Sequence, residues 1–226
     1  QQFSGTSKSN STVSNLNQVI EYQNQILHQL RSENQELRYL ANSDELTQLA
    51  NRRRFYSYLS EVWEKCDSQS LSVILCDVDS FKTYNDNYGH LAGDLTLKQI
   101  AEATQNAVQE MLPSHSFLVA RYGGEELAVI LPSLNVKQAL TVAERIRLKV
   151  SELKIPHLYS KASNIVTMSL GIASRQPSES VSPLELLRNA DCALYKAKSL
   201  GRDRVVCSQQ RDESKTRNFC SCQEKA

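Results

Sequence analysis

Residues 71–79 read LSVILCDVD, a run of β-type apolar residues that ends in two acids. Nothing else in the chain restricts the fold so tightly. The run is far too short to span a membrane, and a buried strand of this kind needs other elements to cover it. The chain offers that cover. VKQALTVAERIRLKVSEL (136–153) has the period of an amphipathic helix, and SPLELLRNADCALYKAKSLGRD (182–203) is a helix with a Ser-Pro start signal and a stop at Gly201. LTLKQIAEATQNAVQEML (95–112) is a further helix, with Leu97, Ile100, Ala101, Val108 and Met111 inward and Thr104 the one polar residue on that face. A helix over 51–65 carries Phe55, Leu59, Val62 and Trp63 on one face, and Asp44 or Ser43 can cap a helix start before it.

SFLVARYGGEELAVILP (116–132) has the pattern of a β-hairpin, NIVTMSLGIAS (164–174) alternates as a strand, and RVVC (204–207) is a short final strand. TYNDNYGHLAGD (83–94) is a polar, glycine-punctuated stretch leading into the third helix. The order helix, strand, helix, hairpin, helix, strand, helix, strand predicts an α/β (α+β) domain over 43–207, with a central, mainly antiparallel sheet flanked by helices.

Upstream, Leu16, Val19, Gln23, Ile26, Leu30, Glu33, Leu37 and Leu40 follow steps of three and four with no Pro or Gly between them. That is the seam of a parallel dimeric coiled coil over 13–42, weakened at Gln23 and Glu33; a single helix packed on its own domain is the alternative. Polar residues 1–12 are expected to be disordered, and 208–226 to form a polar tail. Lys+Arg (26) and Asp+Glu (25) nearly cancel, which argues against bulk electrostatic binding of nucleic acid or of a membrane surface. Any anionic ligand then needs a local site. The six cysteines do not form a disulfide framework in a chain this long. Cys76 and Cys192 lie in apolar patterns as core thiols, and Cys220-Ser-Cys222 lies in the tail, so reduced thiols in a cytoplasmic protein are expected.

Two features carry chemistry. Asp77 and Asp79 share one side of a strand end, where a carboxylate can hold a hard cation beside phosphates or merely cap the next segment. RYGGEEL (121–127) sets Glu125 and Glu126 side by side after two glycines that permit a turn with positive φ. Like charges so close repel unless a cation is near. If the hairpin pairs beside 71–76, Glu125 and Asp77 converge into a two-carboxylate metal site suited to nucleotidyl transfer.

With DELTQLANRR (44–53), CDVDSFKTYNDNYGHLAGD (76–94), RYGGEEL (121–127), VTMSLGIA (166–173) and ADCALYKAKSLGRDRV (190–205) in order, the chain resembles the GGDEF family of diguanylate cyclases. The resemblance implies a palm-like fold and condensation of two GTP molecules into cyclic di-GMP with release of two pyrophosphates. Two subunits would face each other, each binding one GTP. It implies Mg²⁺, or Mn²⁺ in its place, on the carboxylates of Asp77 and Glu125 and the carbonyl of Val78, with Glu126 beside them. Glu125 and Lys82 would be catalytic, Glu125 as base for the 3′-hydroxyl. Asn85 and Asp94 would read the guanine edge, and His90 would line the pocket. Backbone N–H groups over Ser80, Phe81 and Lys82 would cradle the terminal phosphates, and Lys82, Lys198 and Arg202 would face them, the last two sharing a helical face. Arg52 or Arg53 could pair with Asp44. A homodimer through the coiled coil and an upstream sensory domain are the implied partners. A weak GGDEF module serving as a GTP-binding or dimerisation unit is the alternative.

Leu127 replaces the usual Phe, and neither Ser80 nor Ala50 at other variant positions removes a charge. Many members carry an RxxD product-binding site before the hairpin. Here its ends are Ser114 and Phe117, with Arg145 alone on the next helix, so product feedback is expected to be weak or absent.

Overall fold

The structure, a computed structural model, describes residues 6–65, 69–177 and 182–208. The chain starts with α1 (Thr6–Asn42), continues through α2 (Arg52–Lys65), β1 (Leu71–Val78), α3 (Phe81–Tyr88), α4 (His90–Met111), β2 (Leu118–Arg121), β3 (Glu126–Pro132) and α5 (Val136–Glu152), and closes with β4 (Met168–Arg175), α6 (Pro183–Ser199) and β5 (Val205–Cys207). The sheet order is β2-β3-β1-β4-β5. All its pairings are antiparallel except β4 with β5. β1 is central and buried along its whole length, as a run without a polar face requires.

Alternation along β1 divides the core. Ile74, Cys76 and Val78 pack with α4 and α5 residues such as Ile100, Val108, Val142 and Ile146. Leu71, Val73 and Leu75 pack with Phe55 and Leu59 of α2 and with Leu186, Ala190 and Leu194 of α6. The odd-numbered side, continued one step, puts Asp77 on the α6 side of the sheet. Gly171 of β4 lets α6 come close: a Cβ there would lie 2.2 Å from the Leu194 nitrogen and 2.3 Å from the Ala190 oxygen.

The helix starts are written in side chains. Asn135 and Gln138 form a reciprocal capping box on α5, and the Ser182 hydroxyl accepts from the Glu185 N–H with Pro183 in the first turn of α6. α2 is capped by Asn51, whose Oδ1 accepts from the Arg54 N–H at 3.0 Å, and not by Asp44 or Ser43. Asp44 instead closes the 44–50 turn, accepting from the Thr47 N–H and hydroxyl, both at 2.8 Å.

Several sequence expectations are corrected. α1 reaches back to Thr6, into the stretch 1–12 that was expected to be disordered. Residues 83–94 are helical, in α3 and the start of α4, broken only at Gly89 with φ 85°. Met111 is 38% exposed, and Leu112 takes the buried place expected of it. Cys192 is exposed, one position off the buried stripe of Ala190, Ala193 and Leu194. The tail with Cys220 and Cys222, and Cys66, lie outside the described residues.

The seam of α1 stays uncovered by the chain's own domain: Ile26, Leu30, Leu37 and Leu40 are 39–65% exposed. The end of α1 is tied down. Asn51 donates to the Ala41 and Ser43 carbonyls at 3.0 and 3.2 Å, Arg53 donates to Ala41, and Tyr39 donates to Gln48 at 2.5 Å. No helix among the described residues is long and apolar enough to cross a membrane.

Candidate active site

The site forms where β1 and β3 end together. In their antiparallel register Asp77 stands opposite Glu126. The Val78 N–H points to the Glu125 carbonyl at 3.4 Å. Three carboxylates therefore gather at one sheet end, and Lys198 of α6 joins them, its Nζ 2.7 Å from Asp77 Oδ2. Burial pushes the Asp77 carboxyl up to about 6; Lys198 opposes that rise, while Glu125 and Glu126 add to it. A buried acid beside two like charges is an electrostatic deficit that a further cation would relieve.

The turn that presents the glutamates is held by Arg121. Its Nε and one terminal nitrogen donate to the Gly124 carbonyl at 3.0 and 2.8 Å, and the other terminal nitrogen reaches Asp44 at 3.1 Å. Burial would raise the Asp44 carboxyl, but bonds from Thr47 and Arg121 outweigh it and hold it below its ordinary value. Arg121, and not Arg52 or Arg53, is thus the partner of Asp44. Arg52 lies over the Tyr122 ring at 4.8 Å, and Tyr122 shares a hydroxyl contact of 2.6 Å with Tyr56. The glycine pair does not work through positive φ, which among the described glycines occurs only at Gly89 and Gly201. Gly123 supplies space: a Cβ there would meet Glu126 Oε2 at 2.4 Å, whereas one on Gly124 would meet nothing within 4 Å.

Beyond β1, Asp79 turns inward. Its carboxylate is 1% exposed and accepts from the hydroxyls of Thr167 and Ser169 at 2.8 and 2.6 Å and from the Asp203 N–H at 3.0 Å. It anchors the strand end to β4 and to the loop after α6. Of the two strand-end acids, only Asp77 joins the carboxylate cluster. Ser80 then adopts a left-handed conformation (φ 56°, ψ 31°) and turns the chain into α3. The N–H groups of Phe81 and Lys82 open this helix, while the Phe81 side chain is buried against Tyr84 and Lys82 is exposed.

α3 and α4 carry the residues expected to read the base. Asn85 Oδ1 is buried without a hydrogen-bond partner among the described residues. Gly93 packs so tightly on it that a Cβ would sit 1.9 Å from that oxygen. Asp94 and His90 are exposed on the first turns of α4. A buried amide oxygen without a donor, next to an exposed carboxylate, is a hydrogen-bonding set that a planar base edge could complete.

Contrary to expectation, Arg202 does not lie on one helical face with Lys198: α6 ends at Ser199, and Arg202 lies in the following loop with φ 63°. Among the described residues no hydrogen bond or ion pair links Arg202 to Asp77, Glu125 or Glu126, whereas Lys198 reaches Asp77. Arg121 and Gly93 were missed as site-builders; an Arg two residues before a Gly-Gly-Glu-Glu turn was a visible signal for the first.

No three acid, His or Cys side chains among the described residues are placed to hold a metal ion by themselves. The oxygen donors of Asp77, Glu125 and the Val78 carbonyl fit a hard cation that takes the rest of its ligands from phosphate and water, which is how Mg²⁺ binds. A groove of about 730 Å³ lies elsewhere, between the 45–50 turn, α4 and β2, and includes none of these residues. Phe117 lines that groove, Ser114 is exposed, and Arg145 is engaged by Glu110 at 3.1 Å and Glu152 at 3.6 Å.

Comparison with known proteins identifies the family. Residues 41–204 match the family model described as diguanylate cyclase, GGDEF domain. Diguanylate cyclase A of Treponema denticola is 33% identical over 202 residues, covering 84% of this chain and 52% of that protein. Diguanylate cyclase DgcM of Escherichia coli strain K12 is 36% identical over 185 residues, covering 81% of this chain and 42% of that protein. The chain thus spans about half the length of the curated relatives it matches. Among solved structures, the coiled coil and GGDEF domain of DgcB from Caulobacter crescentus, in complex with c-di-GMP, superposes with a TM-score of 0.71 at 29% identity. That match covers 85% of this chain and 98% of that one.

Proposed function

The chain belongs to the GGDEF family of diguanylate cyclases, and on that premise we propose that it condenses two GTP molecules into cyclic di-GMP at the interface of a homodimer. The observation that supports this most is the convergence of Asp77, Glu125 and Glu126 with Lys198 at one sheet end. Mg²⁺, or Mn²⁺ in its place, held by Asp77, Glu125 and the Val78 carbonyl with Glu126 nearby, would neutralise phosphate charge when bound.

The chain's own residues do the rest. The N–H groups of Phe81 and Lys82 after Ser80 point the positive end of α3 at the terminal phosphates. Lys82, Lys198 and Arg202 add cationic side chains; Arg202 needs only to swing from its loop to do so. Asn85 and Asp94 pair with the guanine edge, and His90 flanks the base. Glu125 takes the proton from the 3′-hydroxyl of its own GTP as that oxygen attacks the α-phosphate of the facing GTP and pyrophosphate leaves. The same step in the opposite direction closes the ring, so two pyrophosphates are released per product.

One subunit holds one GTP, so a second copy is required. The exposed Ile26, Leu30, Leu37 and Leu40 seam supports a parallel coiled coil as the tether that raises the local concentration of the facing domain. An upstream sensor would act through that tether. Feedback by product through an RxxD site is absent in this reading, because Phe117 packs against the core and Arg145 is already paired with acids.

Turnover of GTP with Mg²⁺, measured across protein concentration, tests the proposal. Cyclic di-GMP should form, activity per subunit should rise with concentration, and Glu125→Ala should abolish product. No product from micromolar folded protein would refute the enzyme. Activity unchanged after deletion of 1–40 would refute the tether.

A further inference from the structure

His157 is a fully buried residue that the proposed chemistry does not use. Its backbone is hydrogen-bonded on both sides: the N–H donates to the Asn164 carbonyl at 2.8 Å, between a Pro156–Ile165 bridge and a Val166–Ile155 bond. Its ring stands edge-on to Tyr84 at 5.2 Å and to Tyr88 at 6.2 Å, and the Tyr88 hydroxyl accepts from the Leu158 N–H at 3.1 Å. One ring nitrogen, Nε2, lies 3.1 Å from the Ser80 carbonyl. A carbonyl only accepts, so Nε2 carries the proton. The other, Nδ1, is buried with no partner among the described residues.

A phenylalanine would fill this hole without burying an unsatisfied nitrogen. Keeping a polar ring here is unfavourable for the fold alone, and such groups call for an explanation. The bond that His157 does make falls on Ser80, a non-glycine residue held in the left-handed region, where L-residues are strained. Ser80 is also the hinge that aims the first N–H groups of α3. Its carbonyl already accepts from the Tyr84 N–H at 3.0 Å, and the ring of His157 fixes that carbonyl from a second direction.

We infer that His157 is a positioning residue that holds the strained Ser80 turn, so that the N-terminus of α3 meets the terminal phosphates of the nucleotide. The inference rests on the reading of this site as a GTP site, and it specifies which part of the nucleotide feels His157. The base end, at Asn85 within α3 and Asp94 on α4, receives no hydrogen bond from His157, and a ring kept at 157 leaves its packing on Tyr84 and Tyr88 in place, so base binding should not depend on the His157 nitrogens.

The test uses the whole chain with Mg²⁺ and two probes measured by calorimetric titration. These are 3′-deoxy-GTP, which cannot be condensed, and GMP, which lacks the terminal phosphates. His157→Phe keeps the ring and removes both nitrogens. It should weaken 3′-deoxy-GTP about tenfold, leave GMP within about twofold, and leave the melting temperature equal or higher. His157→Gln, whose amide places a donor near the Nε2 position, should retain triphosphate binding within about threefold of wild type. Equal weakening of both probes in His157→Phe would mean a general structural role and overturn the inference, as would no weakening of either. A His157→Gln variant as weak as His157→Phe would also overturn it. Wild-type protein that binds neither probe would overturn the GTP site itself and this inference with it, whereas wild-type binding left intact in His157→Phe removes the inference alone.

Discussion

Asp77→Asn is expected to stabilise the metal-free protein while abolishing turnover. The Asp77 side chain is 11% exposed, and its carboxyl is raised from 3.8 to about 6, by burial first and by Glu125 and Glu126 in addition, against the pull of Lys198. A shift of about two units corresponds to roughly 3 kcal/mol that the folded state forgoes once Asp77 ionises. Asparagine avoids that loss but leaves Lys198, 34% exposed, without its partner, a cost of at most about 1 kcal/mol. The balance is about 2 kcal/mol in favour of the variant, or roughly 4–8 °C in Tm for a domain of this size. The sign depends on pH. A raised acid contributes stability that is complete below pH 3.8 and lost as pH rises through about 6, whereas asparagine has no such dependence. The Tm gap should therefore be widest above pH 7 and close as pH falls through 6 toward 4. Thermal melts followed by circular dichroism in EDTA, from pH 4.5 to 8, measure it. A variant less stable than wild type at pH 8, or a gap that stays constant across the range, would refute the electrostatic account of this site.

Gly93→Ala puts a Cβ 1.9 Å from Asn85 Oδ1, so the amide must turn away; KM for GTP should rise about tenfold with a smaller change in kcat, in steady-state assays. Arg121→Ala releases the Gly124 carbonyl and leaves Asp44 without its cation. Activity should fall more than about tenfold and stability by about 1–2 kcal/mol at pH 7, with the stability difference fading as pH drops below the ordinary Asp range, as urea titrations at two pH values would show. Gly171→Ala drives a methyl into the α6 backbone at Leu194 and Ala190, where no side chain can move aside. A loss of about 3 kcal/mol or more, or failure to fold, is expected in the same titrations.

Much of the fold was legible because local rules and tertiary packing agree. The buried run 71–78, the hairpin over 116–132 and the amphipathic α5 and α6 each follow from local pattern, and the Asn135 and Ser182 caps are local chemistry. The misreadings have physical causes. In 83–94 the polar and glycine-rich composition masked helices stabilised by burial of Phe81, Tyr84 and Leu97. Cys192 sits among alanines and leucines, yet the stripe facing the sheet passes beside it. The Gly123–Gly124 pair suggested positive φ, but close packing of the Glu126 carboxylate on Gly123 is what the pair permits.

The acids of the site could be picked from the sequence, since charges that end an apolar strand or sit on a tight turn stand out locally. What holds them could not be. Arg121 finds Asp44 across 77 positions, Thr167 and Ser169 find Asp79 across 88 and 90, and His157 finds Ser80 across 77. Periodicity reports which way a residue faces relative to its own element, and that determined the strands and the helical layers; the carboxylate cluster also needed β3 to pair beside β1. Which buried polar group meets which partner depends on how separate elements come together, so only the tertiary structure decided that Asp79 is an anchor, that Arg121 clamps the turn, and that Arg202 lies in the loop after α6 and not on one helical face with Lys198.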